Sequence, residues 1–479
     1  MNESRNYIGG QWLDGESSQD NINPSDTRDI IGNYAQAGVD QVVQAIDAAR
    51  MAQIEWARSG LEQRYNALMY IGSQLMGRSA ELGELLSREE GKTLPEGKGE
   101  VYRAGQFFTF YGAEVLRQMG DLSESTRPGV EVLVSREPIG VVGVITPWNF
   151  PTALPSWKLA PAIAYGNGVV WKPANLTPAS AVALMQIIDQ SELPKGLVNM
   201  VLGSGSKVGE AMINAPDIDA ITFTGSLHTG RRIAQAAAVN LTKLQMEMGS
   251  KNPLVVMDDA DMDTAVACAL NGSFFSMGQK CTASSRLIVT KGVHDEFVAR
   301  IQKGMEALTI GHALDADSQI GPAVDDKQLA QNLSYLEIGK AEGAELICGG
   351  ETLERKTPGH YMQPALFVNG DNDMRLNREE VFGPVTCVIK ADDYDHALSL
   401  ANETEFGLTS SIITTSLARA THFRKNSRTG CVMVNLPTSG TDYHVPFGGR
   451  KNSSFGSREQ GQYAAEFYTQ VKTAYIKAD

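Results

Sequence analysis

Between Val39 and Met119 apolar residues recur at three- and four-residue spacings, with charges between them. Val39 to Arg58, Gln63 to Glu89 and Leu94 to Met119 each carry this period and predict long amphipathic helices. Residues 1 to 36, with YIGGQWLDG and then NINPSDTRDIIGNYAQAG, read instead as short strands and turns. The pattern changes at Val130. EVLVSREPIGVVGVITPW is β-branched and alternating, and Pro138 and Gly140 mark a bend between two strands. From Trp148 to Val256 strand-like runs (GNGVVWKP, GLVNMVLG, AITFTG) alternate with helical ones, as parallel βαβ units do. A second alternating block runs from Asp258 to about Asn435, with SRLIVTKG, AELICGG, PVTCVIKA and GCVMVN as candidate strands, and EFYTQVKTAYIKA reads as a terminal strand.

Length adds that 479 residues exceed one compact core and predict two or three domains. The 47 glycines suit an α/β protein with many tight strand-to-helix turns. A formal net charge of -14 argues against a nucleic-acid partner, which calls for a clustered basic face, and favours a small-molecule ligand. Apolar stretches such as Ile139 to Ile145 and Ala160 to Val170 are too short to span a bilayer, and MNESRNYIGGQWLDG holds no signal-peptide core, so the expectation is a cytoplasmic protein without a membrane partner. Cysteines 268, 281, 348, 387 and 431 are odd in number and widely spaced, which predicts no disulfide framework and no metal site.

Two glycine-rich turns are candidates for a nucleotide. Gly203-Ser-Gly205-Ser-Lys-Val-Gly209 lies between a strand and a helix, although its spacing is one residue off the dinucleotide fingerprint and a tight turn without ligand explains it as well. Phe223-Thr-Gly225-Ser226 also follows a strand and opens a helix, offering a hydroxyl and free N–H groups to a pyrophosphate. Cys281, in FFSMGQKCTASSR, is either a buried structural thiol or, given a turn and the neighbouring Lys280, a thiol of lowered pKa. Glu247, in LQMEMGSKNP, either faces water or has a raised pKa suited to general-base work.

Taken in order, PWNFP, WKPA, FTGS, EMGSKNP, GQKC, EEVFGP and PFGG resemble the aldehyde dehydrogenase superfamily over nearly the whole chain. The 34-residue interval from Glu247 to Cys281 (281 - 247) is similar to that family's spacing of base and nucleophile. The resemblance implies a Rossmann-like nucleotide-binding domain (residues 1–122 and 142–250), an α/β catalytic domain (251–440) and a small β extension (123–141 and 455–479) that builds homodimers or homotetramers. It implies that Cys281 attacks an aldehyde, that its backbone N–H and the Asn149 amide receive the oxyanion, and that Glu247 activates water to hydrolyse a thioester. NAD or NADP is the implied cofactor, held by Thr146, Pro147, Trp148, Lys172, Gly205, Gly209, Phe223, Gly225, Ser226, Gly249, Glu380 and Phe382. Lys158 is similar to a lysine near the nucleophile, and a structural ion pair explains it equally. Asn175 departs from the pattern, since many NAD-preferring relatives have an acid there. A neutral amide removes the repulsion of a 2'-phosphate, yet it can also hydrogen-bond an NAD ribose.

For the substrate, MGSKNP, GQKCTASSR and EFYTQVKT are similar to α-ketoglutarate semialdehyde dehydrogenases. A substrate carboxylate would need a cation or several donors, and Arg286, Ser284 and Ser285 are the candidates close to Cys281 in the chain. Trp157 and Phe275 stand where succinate-semialdehyde relatives have arginines, and they argue for an apolar pocket and an aliphatic or aromatic aldehyde. A CoA-acylating enzyme is disfavoured by the glutamate at 247, and an inactive relative by the presence of both Cys281 and Glu247.

Overall fold

The computed structural model describes residues 4–117 and 120–477. Two mostly parallel sheets form its centre. The first has eight strands, and its parallel part runs Lys243–Glu247, Ala220–Thr224, Val141–Ile145, Gly168–Lys172, Val198–Met200 in spatial order. The chain starts at Val141–Ile145, moves out to Val198–Met200, and then crosses back to Ala220–Thr224 on the other side. That reversal creates a switch point where the strand ends diverge, the usual place for a ligand in an open α/β sheet. The strands are buried on both faces, which explains why they read as apolar runs rather than as alternations.

Helices cover both faces of this sheet. The predicted helix from Gln63 to Glu89 is two helices, Leu61–Gly77 and Ser79–Glu90, parted at Arg78. Gly77 weakens the helix there, and the second helix resumes in a similar apolar phase, so periodicity alone hides the break. The third predicted helix is Leu94–Val115 in the structure, and its predicted end at Met119 falls outside the described residues. It crosses Leu61–Gly77 closely. A Cβ on Gly72 would lie 2.7 Å from the Gly105 carbonyl oxygen, and one on Gly105 would lie 2.6 Å from that of Gly72. Glycine at both positions seats helix Leu94–Val115 deeply, against helix Ala153–Ala164.

The second sheet runs Glu345–Cys348, Ala365–Val368, Val385–Ala391, Ser284–Thr290, Asn252–Val256, Thr409–Ile413, Cys431–Val434, parallel except at Glu345–Cys348. Its core gathers Leu254, Leu287, Val289, Phe297 and Val388. A small antiparallel sheet joins Asp121–Glu124, Val130–Pro138 and Thr469–Lys477, with Thr469 opposite Pro138 and Lys477 opposite Val130. The segment just before it behaves differently: Ser454–Gly456 pairs with Lys243–Glu247 and closes an edge of the first sheet.

Candidate active site

A cavity of about 410 Å³ opens at the switch point of the first sheet, bounded by Pro147, Trp148, Asn149, Gly225, Ser226, Gly249, Cys281, Glu380 and Phe382 among others. Each wall has a local cause. Thr146 follows its strand and donates its N–H to the Lys172 carbonyl (3.2 Å), while its hydroxyl accepts from the Trp171 indole (3.0 Å). Ser226 caps helix Leu227–Asn240, accepting from the Thr229 N–H at 3.3 Å, so a helix N-terminus faces the space. Phe223 is buried beneath, and a Cβ on Gly225 would lie 2.5 Å from its ring. Opposite, one Glu380 oxygen accepts from the Ser250 N–H at 2.8 Å, and a Cβ on Gly249 would lie 2.6 Å from the other oxygen. Burial raises the Glu380 carboxyl to about 7. Phe382 sits at φ 59° and sets its ring edge-on to Trp148, with centroids 5.4 Å apart.

Lys172, Asn175, Gly205 and Gly209 lie beyond this cavity. Lys172 Nζ donates to the Pro173 carbonyl at 3.0 Å, and burial lowers its pKa to about 8. A Cβ on Gly209 would be 3.9 Å from the Lys172 chain, so the glycine-rich turn and the lysine adjoin. The Asn175 amide donates to Gln36 Oε1 at 3.1 Å.

Cys281 is reached through an inverted backbone. After helix Met262–Phe274, Ser276, Met277 and Gly278 take φ of 54°, 56° and 65°. For the two non-glycine residues that conformation costs about 1–3 kcal/mol each. Tertiary contacts hold it: Ser276 Oγ donates to Glu96 (2.8 Å), Gln279 Oε1 accepts from the Val324 N–H (3.0 Å), and Asn252 donates to the carbonyls of Cys281 (2.8 Å) and Ala283 (2.9 Å). Asn149 joins the loop by donating one amide hydrogen to the Gln279 carbonyl at 3.0 Å, which leaves its second hydrogen for another acceptor. The thiol pKa is raised rather than lowered. Burial is the main cause, and the carboxyls of Glu380 and Glu247 add to it. Lys280 does not offset them, because its Nζ turns away to the Asn271 carbonyl (2.9 Å) and burial lowers its own pKa to about 8.

Glu247 does not face water. It ends the strand Lys243–Glu247, is 3% exposed, and has one oxygen bonded by Ser454 Oγ at 2.5 Å and the other, among the described residues, buried without a partner. Its pKa is raised well above the carboxylate range, by burial first and then by the charge of Glu459; the Ser454 bond and the Lys158 charge oppose the shift. Lys158 is fully buried and pairs with Glu459, also donating to Thr222 Oγ1 at 2.9 Å. It therefore makes the structural ion pair and lines neither cavity.

A second cavity of about 330 Å³ also has Cys281 in its lining, among the described residues the one it shares with the first. Its walls are Phe107, Phe150, Trp157 and Phe447, with Lys92, Glu96, Glu100, Arg103, Lys280 and Thr441 among the polar lining. Trp157 packs on Phe107 and Phe447 at centroid distances of 5.7 and 5.4 Å. Two expected substrate contacts are not in it. Phe275 packs against the core of the second sheet, and Ser276 takes its place in the lining. Arg286 is fully buried in the middle of that sheet and donates to the carbonyls of Lys251, Leu400 and Ala401 and to Asn372 Oδ1, where it caps the helix Tyr394–Asn402. Ser284 bonds Thr438, and Ser285 also lies outside the lining. Residues the sequence did not single out are Arg103 and Tyr443 beside this cavity, Gln328 and Tyr335 in the first, and Glu459.

One thiol, Cys281, is shared by the cleft at the switch point and a separate small cavity, and the buried Glu247 carboxyl is close enough to help raise its pKa. Residues 12–474 match the model of the aldehyde dehydrogenase family. An alpha-ketoglutaric semialdehyde dehydrogenase of Bacillus subtilis is 41% identical, covering 100% of this chain and 99% of its own. An alpha-ketoglutarate semialdehyde dehydrogenase of Haloferax volcanii is 39% identical, with 98% of each chain covered. Among solved structures, a betaine aldehyde dehydrogenase of Staphylococcus aureus in complex with NAD+ aligns with a TM-score of 0.97 at 32% identity, over 99% of this chain and 95% of that one. The chain belongs to the aldehyde dehydrogenase family and is an NAD(P)-dependent aldehyde dehydrogenase.

Proposed function

We propose that the protein oxidises a carboxylate-bearing semialdehyde, of the α-ketoglutarate semialdehyde type, to the corresponding acid. The observation that carries the chemistry is the meeting of two cavities at Cys281, one suited to a dinucleotide and one to a small aldehyde. The names of the relatives from Bacillus subtilis and Haloferax volcanii support the substrate class.

The cleft fits the cofactor. Gly249 lacks the Cβ that would crowd Glu380, Thr224 Oγ1 is buried without a partner among the described residues, and one Glu380 oxygen remains for a ribose hydroxyl. Thr146, Pro147, Trp148, Phe223, Ser226 and Phe382 would frame the nicotinamide half, and Lys172, Asn175, Gly205 and Gly209 the adenosine half. Bound there, NAD or NADP supplies the acceptor for the hydride that leaves the substrate carbon. Cys281 releases its thiol proton to solvent as Sγ adds to the aldehyde carbon, and the free amide hydrogen of Asn149 and the Cys281 N–H receive the oxygen as it becomes negative. Glu247, held by Ser454, takes a proton from the water that cleaves the thioester and passes it to the departing sulfur, so Cys281 leaves as the thiol. Its raised pKa makes it a stronger base once ionised, and Glu459 with Lys158 tunes that pKa from behind.

In this reading residues 1–122 and 142–250 form the nucleotide domain, 251–440 the catalytic domain, and 123–141 with 455–479 an extension that meets a second copy. The exposed Leu122, Leu133, Val471 and Tyr475 on the three-stranded sheet support that contact. A nucleophilic thiol and four other free cysteines suit a reducing compartment such as the cytoplasm. The test is the formation of reduced nicotinamide, followed by absorbance, over a panel of aldehydes with each cofactor and without CoA. Turnover of α-ketoglutarate semialdehyde above neutral aldehydes of equal length is the expected result, and a preference for neutral aldehydes removes the substrate assignment.

A further inference from the structure

If the substrate carries a carboxylate, its cation must lie in the second cavity, and the structure has withdrawn Arg286 from it. The other charges in the lining are already matched. Glu100 accepts from the N–H groups of Thr152 (2.9 Å) and Ala153 (3.1 Å) and from Lys92 Nζ (2.7 Å). Lys92 also donates to the Asn149 carbonyl at 2.6 Å. Glu96 is taken by Thr93 (2.8 Å) and Ser276 (2.8 Å), and Lys280 by the Asn271 carbonyl. Arg103 differs from all of these: among the described residues its side chain has no hydrogen-bond and no carboxylate partner. Its guanidinium carbon instead lies 5.4 Å from the centre of the Tyr443 ring. That ring is itself set on helix Leu94–Val115, edge-on to Phe107 and Phe110 at 6.4 and 6.0 Å.

We propose that Arg103, stacked on Tyr443, is the receptor for the distal carboxylate of the semialdehyde and so the residue that sets substrate specificity. A guanidinium held through its face keeps its N–H edge free for two parallel bonds to a carboxylate, which a point-charge ammonium does not reproduce. The cavity then has a division of labour. Phe107, Phe150, Trp157 and Phe447 enclose the carbon chain, Cys281 meets the aldehyde at one end, and Arg103 supplies the charge that those apolar walls lack. An unpaired carboxylate entering the same space would lose hydration without compensation.

This inference rests on the proposed substrate class, and the experiment separates the two. The readout is the ratio of kcat/KM for α-ketoglutarate semialdehyde to that for pentanal, in wild type, R103M and R103K. A wild-type ratio well above one is expected, with a fall of roughly ten- to a hundredfold in R103M, carried mainly by KM, and a smaller fall in R103K. Protection of Cys281 from alkylation by α-ketoglutarate is a second, turnover-free measure, expected in wild type and lost in R103M. A wild-type ratio at or below one overturns the substrate reading and this inference with it. A high wild-type ratio that survives in R103M, with protection intact, overturns the role of Arg103 and leaves the substrate reading standing.

Discussion

The cavity between Gly225 and Glu380 and the cavity between Arg103 and Phe447 meet at one sulfur, yet much of the first is lined from turns that follow neighbouring strands and the second from distant helices and loops. Gly225, Ser226 and Gly249 lie just past the ends of neighbouring strands whose register is locked, Thr224 opposite Glu247. Phe107 and Arg103 come from helix Leu94–Val115, Trp157 from Ala153–Ala164, and Phe447 from a loop near the end of the chain. Turns fixed to the ends of paired strands are hard to alter without altering the sheet, whereas a wall of side chains from separate elements can change one residue at a time. The difference assigns shared chemistry to one side of Cys281 and substrate choice to the other.

The largest effect is expected where the two sides join. Cys281→Ala removes the nucleophile, and turnover of every aldehyde should drop by at least roughly a thousandfold while cofactor binding by fluorescence titration stays near wild type. Turnover within tenfold of wild type would break the covalent mechanism. Glu247→Gln acts after the first half-reaction. The amide cannot take a proton from water, so a burst of reduced nicotinamide near one per site should precede a steady state slowed by roughly 10²–10⁴. A steady-state rate equal to wild type rules out Glu247 as the base.

On the cofactor side alone, Asn175→Glu places a carboxylate near the adenosine ribose, where repulsion of a 2'-phosphate amounts to about 1–4 kcal/mol at ~4 Å. The NADP-to-NAD ratio of kcat/KM should fall, equally for charged and neutral aldehydes; an unchanged ratio removes residue 175 from the ribose. The smallest effect concerns pH. Glu247 has a raised pKa, so its basic form, and with it deacylation, gains as pH rises through that value. Glu459→Gln deletes a like charge, which lowers the pKa of Glu247 and should move the rising limb of kcat to lower pH. A limb that stays in place, or moves up, contradicts the coupling.

The same contrast explains what could be read from the chain. The cofactor cleft is written in contiguous turns, so PWNFP, FTGS and EEVFGP each carry a wall of it in a few letters. The substrate cavity has no such segment. Arg286 is close to Cys281 along the chain, but by residue 286 the backbone has entered the sheet opposite Pro253 and Cys387, and the side chain serves a helix end. Arg103 is remote in sequence and flanks the apolar face formed by Val101, Ala104, Phe107 and Phe108, where a lone cation looks like an ordinary boundary residue. Glu459 sits in the polar run SREQGQ, and only the fold reveals its burial beside Lys158. The split of Gln63 to Glu89 escaped for a related reason, since a helical period survives a one-residue break.

The strand Ser454–Gly456 bears on what a shortened chain can do. It closes the edge of the first sheet against Lys243–Glu247, its Ser454 holds Glu247, and Glu459 follows directly behind. A chain shortened before Ser454 keeps Cys281 and Glu247 but has neither the hydroxyl that bonds Glu247 nor the carboxyl that raises its pKa. In the proposed mechanism such a chain would be slow to hydrolyse its thioester and release the acid.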